Sequence, residues 1–160
     1  MSAKVTPEDL IAAARDKGLT IATAESCTGG MVAAALTDIP GASAVVERGF
    51  VTYSNAAKTE MLGVRDATLA AHGAVSEAVA REMAEGALRH GHAQLAVSIT
   101  GIAGPGGSEH KPEGRVCFGL ARAGQATRSE TRDFGAQGRG EVRRLSRDHA
   151  LALLRDALSA

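Results

Sequence analysis

Apolar residues recur along this chain with two periods, and each period marks a kind of element. Leu10, Ile11 and Ala14 form one side of a first helix. Thr6-Pro7-Glu8-Asp9 opens it with a hydroxyl cap, a proline in the first turn and acids at the positive end of the dipole, and Gly18 closes it. A short β-like run follows at residues 19–22. Val32, Ala35, Leu36 and Ile39 then repeat at i, i+3, i+4 and i+7, a helical spacing that ends at the Pro40-Gly41 turn. Val45, Val46, Phe50 and Val51 predict a strand over residues 45–53, interrupted at Glu47-Arg48-Gly49. Residues 55–62 read as a short helix capped by Ser54 or Asn55 and stopped at Gly63. After a helical turn at 67–71, Ser76 caps a longer helix with Val79, Met83, Gly86 and Ala87 on its apolar stripe. The pairs Arg81 with Glu85 and Glu85 with Arg89 lie on its solvated side.

In the second half, Leu95, Val97 and Ile99 alternate in a strand over residues 94–100, which runs into the glycine-rich segment 101–107 and a loop continuing to Gly114. A loop of that length in a compact chain is commonly functional. Residues 115–121 and 125–134 predict two strands joined as a hairpin at Ala123-Gly124. A last helix over 140–158 carries Val142, Leu145, His149, Ala152 and Leu153 on one stripe. After the first helix the order is β, α, β, α, α, β, β, β, α, which implies an α/β fold with a mixed sheet and helices packed on it. No repeat or linker divides the 160 residues, so one domain is expected.

Composition adds exclusions. Hydrophobic residues make up 44% and charged residues 22%, but there is no Trp, one Tyr and three Phe, so the core must be aliphatic. Net charge is +0, unevenly placed: 8 basic against 12 acidic side chains up to residue 110, and 10 against 6 beyond it. Without an overall basic excess or stacking aromatics, a nucleic-acid partner is not expected. The absence of an 18-residue apolar run or a signal-peptide pattern points away from a membrane and toward a cytoplasmic setting. Two cysteines make no disulfide framework, and no His, Cys, Asp and Glu cluster suggests a metal; no cofactor is expected.

Candidate chemistry concentrates at Thr23-Ala24-Glu25-Ser26-Cys27-Thr28-Gly29-Gly30, where a strand becomes a helix. In an α/β fold this position faces the ligand crevice, and a helix start offers amide N–H groups to an anion. By position alone Ser26 is a helix cap or a nucleophile, and a nucleophile needs a base. None of the five histidines sits in a recognisable triad. Lys58 is either an ordinary exposed lysine or that base. The second role requires its pKa to fall from about 10.4 to near 7 or 8, and the lone Tyr53, five residues before it, could relay the proton or hold the amine. Cys27 is the rival nucleophile or a small packed residue. Neither glycine segment has the spacing of a standard nucleotide motif; both offer consecutive backbone amides to a phosphate or an oxyanion.

At these residues the sequence resembles the CinA C-terminal domain family, in particular its stand-alone nicotinamide mononucleotide amidohydrolases. The resemblance rests on Thr23 to Gly30; on Val46-Glu47-Arg48-Gly49-Phe50-Val51-Thr52-Tyr53-Ser54-Asn55 with Lys58; on His72-Gly73-Ala74-Val75-Ser76; on Ser98-Ile99-Thr100-Gly101-Ile102-Ala103-Gly104-Pro105; and on Lys111-Pro112-Glu113-Gly114, all in order. It implies a single-domain α/β/α layered fold and a small-molecule nucleotide substrate, deamidated to nicotinate mononucleotide and ammonia in pyridine-nucleotide salvage. It assigns Ser26 as nucleophile, Lys58 as base and Tyr53 as the third member. Thr28, Gly29, Gly30, Thr100 and Gly101 are then substrate-binding positions, joined by Arg139 in Gln137-Gly138-Arg139, where the family often has Gly-Asp-Arg; Arg143 is the alternative arginine. One glycine loop would hold the oxyanion and the other, with Arg139, the 5′-phosphate. A homo-oligomer is the family's habit. The competing functions are a non-catalytic nucleotide-binding module and a serine amidase acting on another small amide.

Overall fold

The computed structural model describes residues 6–108 and 110–159, which include every candidate site residue named above. The chain runs α1 (Pro7–Lys17), β1 (Ile21–Glu25), α2 (Met31–Thr37), a 3-10 turn (Ala42–Ala44), β2 (Val46–Val51), α3 (Asn55–Leu62), α4 (Asp66–His72), α5 (Glu77–His90), β3 (Leu95–Gly101), β4 (Arg115–Arg122), β5 (Arg128–Asp133) and α6 (Arg139–Ser159). The strands form one mixed sheet in the order β2-β1-β3-β4-β5. β1 is parallel to both neighbours, while β4 and β5 are antiparallel additions.

Alternation along the strands divides the core in two. Ile21, Leu95, Val97, Ile99 and Phe118 face α1, α2 and α6. Ala22, Ala24 and Ala96 face α3 and α5, with Leu62, Val79 and Met83 packed over them. The small side chains on this second face let the helices approach closely. A Cβ on Gly86 of α5 would stand 2.0 Å from the Leu62 carbonyl oxygen, and one on Gly119 of β4 would stand 2.3 Å from that of Ala80.

The connection from β1 to β2 runs through α2 on one face, and the connection from β2 to β3 runs through α3, α4 and α5 on the other. The chain therefore leaves the adjacent strands β1 and β2 toward opposite faces of the sheet, which makes their carboxyl ends a switch point with a crevice above it. Ser26 is the first residue past the end of β1.

Several boundaries differ from the sequence reading. β1 is displaced to Ile21–Glu25 because its small and polar residues are covered on both sides, as a central parallel strand requires. In β2 the interruption is a register shift: Ile21 pairs with Val46 but Ala22 pairs with Arg48. On α6 the buried residues are Val142, Ser146, Ala150, Leu151, Leu154, Ala157 and Leu158, a stripe rotated from the predicted one. Ser146 enters the core because its hydroxyl donates to the Val142 carbonyl, 2.7 Å away, so its polarity is satisfied within the helix. His149 stays half-buried at the edge of this stripe, on Phe118 and 2.8 Å from Glu130.

Candidate active site

Ser26 and Lys58 meet at the switch point. Ser26 is brought there by β1, whose end is pinned on both sides: the Ser26 N–H donates to Ile99 O at 2.9 Å, and Glu25 O accepts from Thr52 N–H at 2.8 Å. Lys58 comes from the first turn of α3, a helix capped by Ser54, whose hydroxyl accepts from Ala57 N–H. The lysine amine lies 3.1 Å from Ser26 Oγ and donates to the carbonyls of Thr52 at 3.1 Å and Tyr53 at 3.3 Å. Ser26 is 8% exposed and Lys58 1%. Burying a lysine is unfavourable unless its nitrogen is fully engaged, and three oxygens engage it here.

The pair forms the floor of a cleft of about 330 Å³. Residues 101–108 make one wall, and Tyr53, Asn55 and Arg139 stand on the other side. The glycine-rich wall is ordered by its own side chains. Glu113 accepts from the Gly106 N–H, and the Lys111 amine donates to the carbonyls of His72 and Val75, tying the loop to the connection between α4 and α5. Thr100, at the end of β3, lines the cleft and donates its hydroxyl proton to Ala74 O at 2.9 Å. It therefore presents only lone pairs to a ligand.

Tyr53 reaches the pair through its main-chain carbonyl. Its phenol points elsewhere, accepting from Arg139 at 2.9 Å, while the same guanidinium donates to Gly104 O at 2.7 Å. Arg139 thus bridges the two walls, and among the described residues its partners are both neutral oxygens. Arg143 is placed differently, donating to the carbonyls of Cys27 at 3.0 Å and Thr28 at 3.4 Å. It buttresses the turn after Ser26, whereas Arg139 faces the cleft.

Thr28, Gly29 and Gly30 do not line the cleft; Ser26, Cys27, Thr100 and Gly101 do. The expected anion site at the start of α2 is already filled. Glu25, fully buried, accepts from the N–H groups of Gly30, Val32 and Ala33 at 3.2, 3.0 and 3.0 Å, and the Gly29 N–H goes to Ser26 O. The glycines serve the turn instead, with φ of 58° at Gly29 and 109° at Gly30. Among the described residues, no oxygen accepts from the amides of Cys27 and Thr28, and the Cys27 N–H lies against its own thiol. The hydroxyls of Thr23, Thr28 and Thr52 are buried without a partner among the described residues.

Cys27 beside the serine is a poor nucleophile. Burial is the main cause that pushes its thiol from 9.0 up to about 11, opposed by a backbone hydrogen bond and by the Arg143 charge, so near neutral pH it stays protonated. Among the described residues no group of three or more His, Cys, Asp or Glu is placed to hold a metal ion, and no helix is long and apolar enough to cross a membrane.

Sequence reasoning missed Glu25 and Asn55. Glu25 lay inside the conspicuous motif, but a carboxylate that turns back onto the following helix leaves no periodic signal. Asn55 was visible as a possible helix cap and as the last residue of a family motif, with no role of its own.

Fold and cleft together define an α/β protein with a serine–lysine pair seated at the switch point of a mixed sheet. Residues 4–158 match the CinA C-terminal domain, and the chain belongs to that family. It is 55% identical over 143 residues to the nicotinamide-nucleotide amidohydrolase PncC of Escherichia coli K12, covering 89% of this chain and 86% of that one. It is 58% identical over 125 residues to a CinA-like protein of Chlorobium phaeobacteroides and 53% identical over 150 residues to one of Chloroherpeton thalassium. The matches span 30% and 36% of those proteins, so the chain corresponds to about a third of their length. Among solved structures, the competence/damage inducible protein CihA of Agrobacterium tumefaciens superimposes over the whole of both chains, with a TM-score of 0.87 and 46% identity. A CinA superfamily protein of Klebsiella pneumoniae gives a TM-score of 0.91 at 38% identity, covering 96% of this chain and 95% of its own.

Proposed function

We propose that this chain hydrolyses the carboxamide of nicotinamide mononucleotide to nicotinate mononucleotide and ammonia, as part of pyridine-nucleotide salvage. The similarity to PncC over most of both chains supports the substrate. The observation that carries the chemistry is the 3.1 Å contact between Ser26 Oγ and the buried Lys58 amine.

In this reading Lys58 acts as an uncharged amine. Its N–H groups donate to the carbonyls of Thr52 and Tyr53, and its lone pair takes the proton of the Ser26 hydroxyl 3.1 Å away. Ser26 Oγ attacks the carboxamide carbon as its proton passes to Lys58. The tetrahedral intermediate collapses, the C–N bond breaks, and Lys58 returns the proton to the departing ammonia. Water then attacks the resulting ester, giving its proton to Lys58, and the acid leaves as Ser26 is restored.

The Cys27 amide, adjacent to the nucleophile and with no oxygen acceptor among the described residues, supplies the oxyanion donor by turning from its own thiol to the developing charge. Thr100, with its proton committed to Ala74, accepts from the carboxamide NH₂. Arg139 is the phosphate ligand: exchanging the Gly104 carbonyl for a phosphate oxygen strengthens its hydrogen bond, while the Tyr53 phenol, still accepting, aims the guanidinium. The arginine and the wall at 101–108 then hold the nucleotide end, and the turn at 26–28 holds the reacting end. We further propose that the domain works in the cytoplasm as a homo-oligomer; among the described residues Val51, Tyr53 and Met61 are the large exposed apolar side chains, and light scattering at several concentrations tests the assembly.

The test is ammonia release across a panel of nicotinamide mononucleotide, free nicotinamide, the dinucleotide and unrelated small amides. Turnover confined to the mononucleotide is expected. Turnover of an unrelated amide in preference to it would make the protein a serine amidase of different specificity.

A further inference from the structure

The mechanism above makes no use of Glu25, although a fully buried carboxylate is costly to retain. We infer that Glu25 is a positioning residue that aligns Ser26 with Lys58, and that its loss lowers serine reactivity beyond any effect on folding. The inference rests on the proposed nucleophilic role of Ser26.

Glu25 acts in two directions. Its side chain leaves β1 on the face opposite Ser26, and its carboxylate turns back to collect three amides of the next segment: Gly30 and Val32 on Oε1, Ala33 on Oε2. The chain from Ser26 to the first turn of α2 is thereby closed into a loop anchored at both ends on residue 25. The Glu25 carbonyl accepts the Thr52 N–H, and the Thr52 carbonyl in turn accepts from the Lys58 amine. Nucleophile and base are thus both referenced to one residue. A neutral isostere does not replace it, because a glutamine amide presents N–H groups to at least one of the three donors.

Displacement of a reacting group by about 1 Å costs about a hundredfold in rate, without loss of fold. The test compares covalent labelling of Ser26 by a fluorophosphonate, followed by mass spectrometry, in the wild type, Glu25→Gln, Ala33→Pro and Leu10→Ala. Labelling needs no substrate, so it separates this inference from the choice of substrate. Proline in the first helical turn removes only the Ala33 donor while keeping the carboxylate, and Leu10, in the core between α1 and α6, is a control that destabilises far from the site. Glu25→Gln is expected to remain folded by circular dichroism and to label roughly a hundredfold more slowly. Ala33→Pro should be slowed less, and Leu10→Ala should melt earlier yet label at the wild-type rate. If Glu25→Gln does not fold, a slowed Ala33→Pro that folds carries the inference. Wild-type labelling rates in whichever of these two variants fold would overturn it and leave Glu25 a helix cap. Absence of labelling at Ser26 in the wild type would overturn the nucleophile assignment itself.

Discussion

Ser26 and Lys58 are 32 positions apart, and each has an ordinary alternative reading in sequence, a cap or a surface charge. Their contact, with 1% exposure at the lysine, is what distinguishes them from those readings. Replacing Lys58 with alanine should lower turnover by about 10² to 10⁴-fold, the usual range for a general base, while calorimetry shows nucleotide binding largely retained. Equal losses of both would indicate a lysine that only holds the cleft together. Replacing Cys27 with alanine should keep most of the activity, since its thiol is protonated at neutral pH. Iodoacetamide should label it slowly until the pH approaches 11. Over the interval from 9 to 11 an unfolded thiol ionises while the folded one retains its proton, so this residue makes the protein less stable as pH rises. The roles of Tyr53 and the glycines were the least legible. The motif singled out the residues, but only coordinates separate a phenol aimed at Arg139 from a carbonyl aimed at Lys58, or a turn-forming glycine from a ligand-binding one.

At the level of elements, periodicity found the helices and strands, and errors arose where a polar residue is satisfied locally. β1 was read too early because Thr23 and Glu25 look like loop residues; inside the sheet, Glu25 is neutralised by the start of α2. The α6 stripe was rotated for a similar reason, Ser146 being buried through its bond to Val142. Gly86 was placed correctly on the apolar side of α5, but its necessity follows from the Leu62 carbonyl against it. Gly86→Ala should destabilise by about 1 to 3 kcal/mol in urea unfolding and reduce activity, because Leu62 ends the helix that carries Lys58. Glu77 at the start of α5 accepts from Thr131 and Ser129 on β5, and those hydrogen bonds lower its carboxyl from the ordinary 4.5. Its stabilising contribution is present above 4.5 and lost as the pH falls below it, so Glu77→Gln should flatten the acid limb of a stability profile.

For the whole molecule, the mixed sheet was legible from element order, and the site location followed from the general behaviour of such sheets. The identity of the wall opposite Ser26 was not, because the segment after β3 carries no periodic signal; residues 101–108 are held by Glu113 reaching back to Gly106 and by Lys111 reaching the connection between α4 and α5. Topology places the end of β1, the start of α3, the end of β3 and the start of α6 around one cleft, and the proposed hydrolysis uses a residue from each. The most direct measurement is ammonia release from nicotinamide mononucleotide by the wild type and by Ser26→Ala, with circular dichroism confirming that both are folded. The expected result is equimolar ammonia and nicotinate mononucleotide from the wild type, and a rate lower by about 10³-fold or more in the variant. A folded Ser26→Ala protein that releases ammonia at the wild-type rate would contradict the central claim.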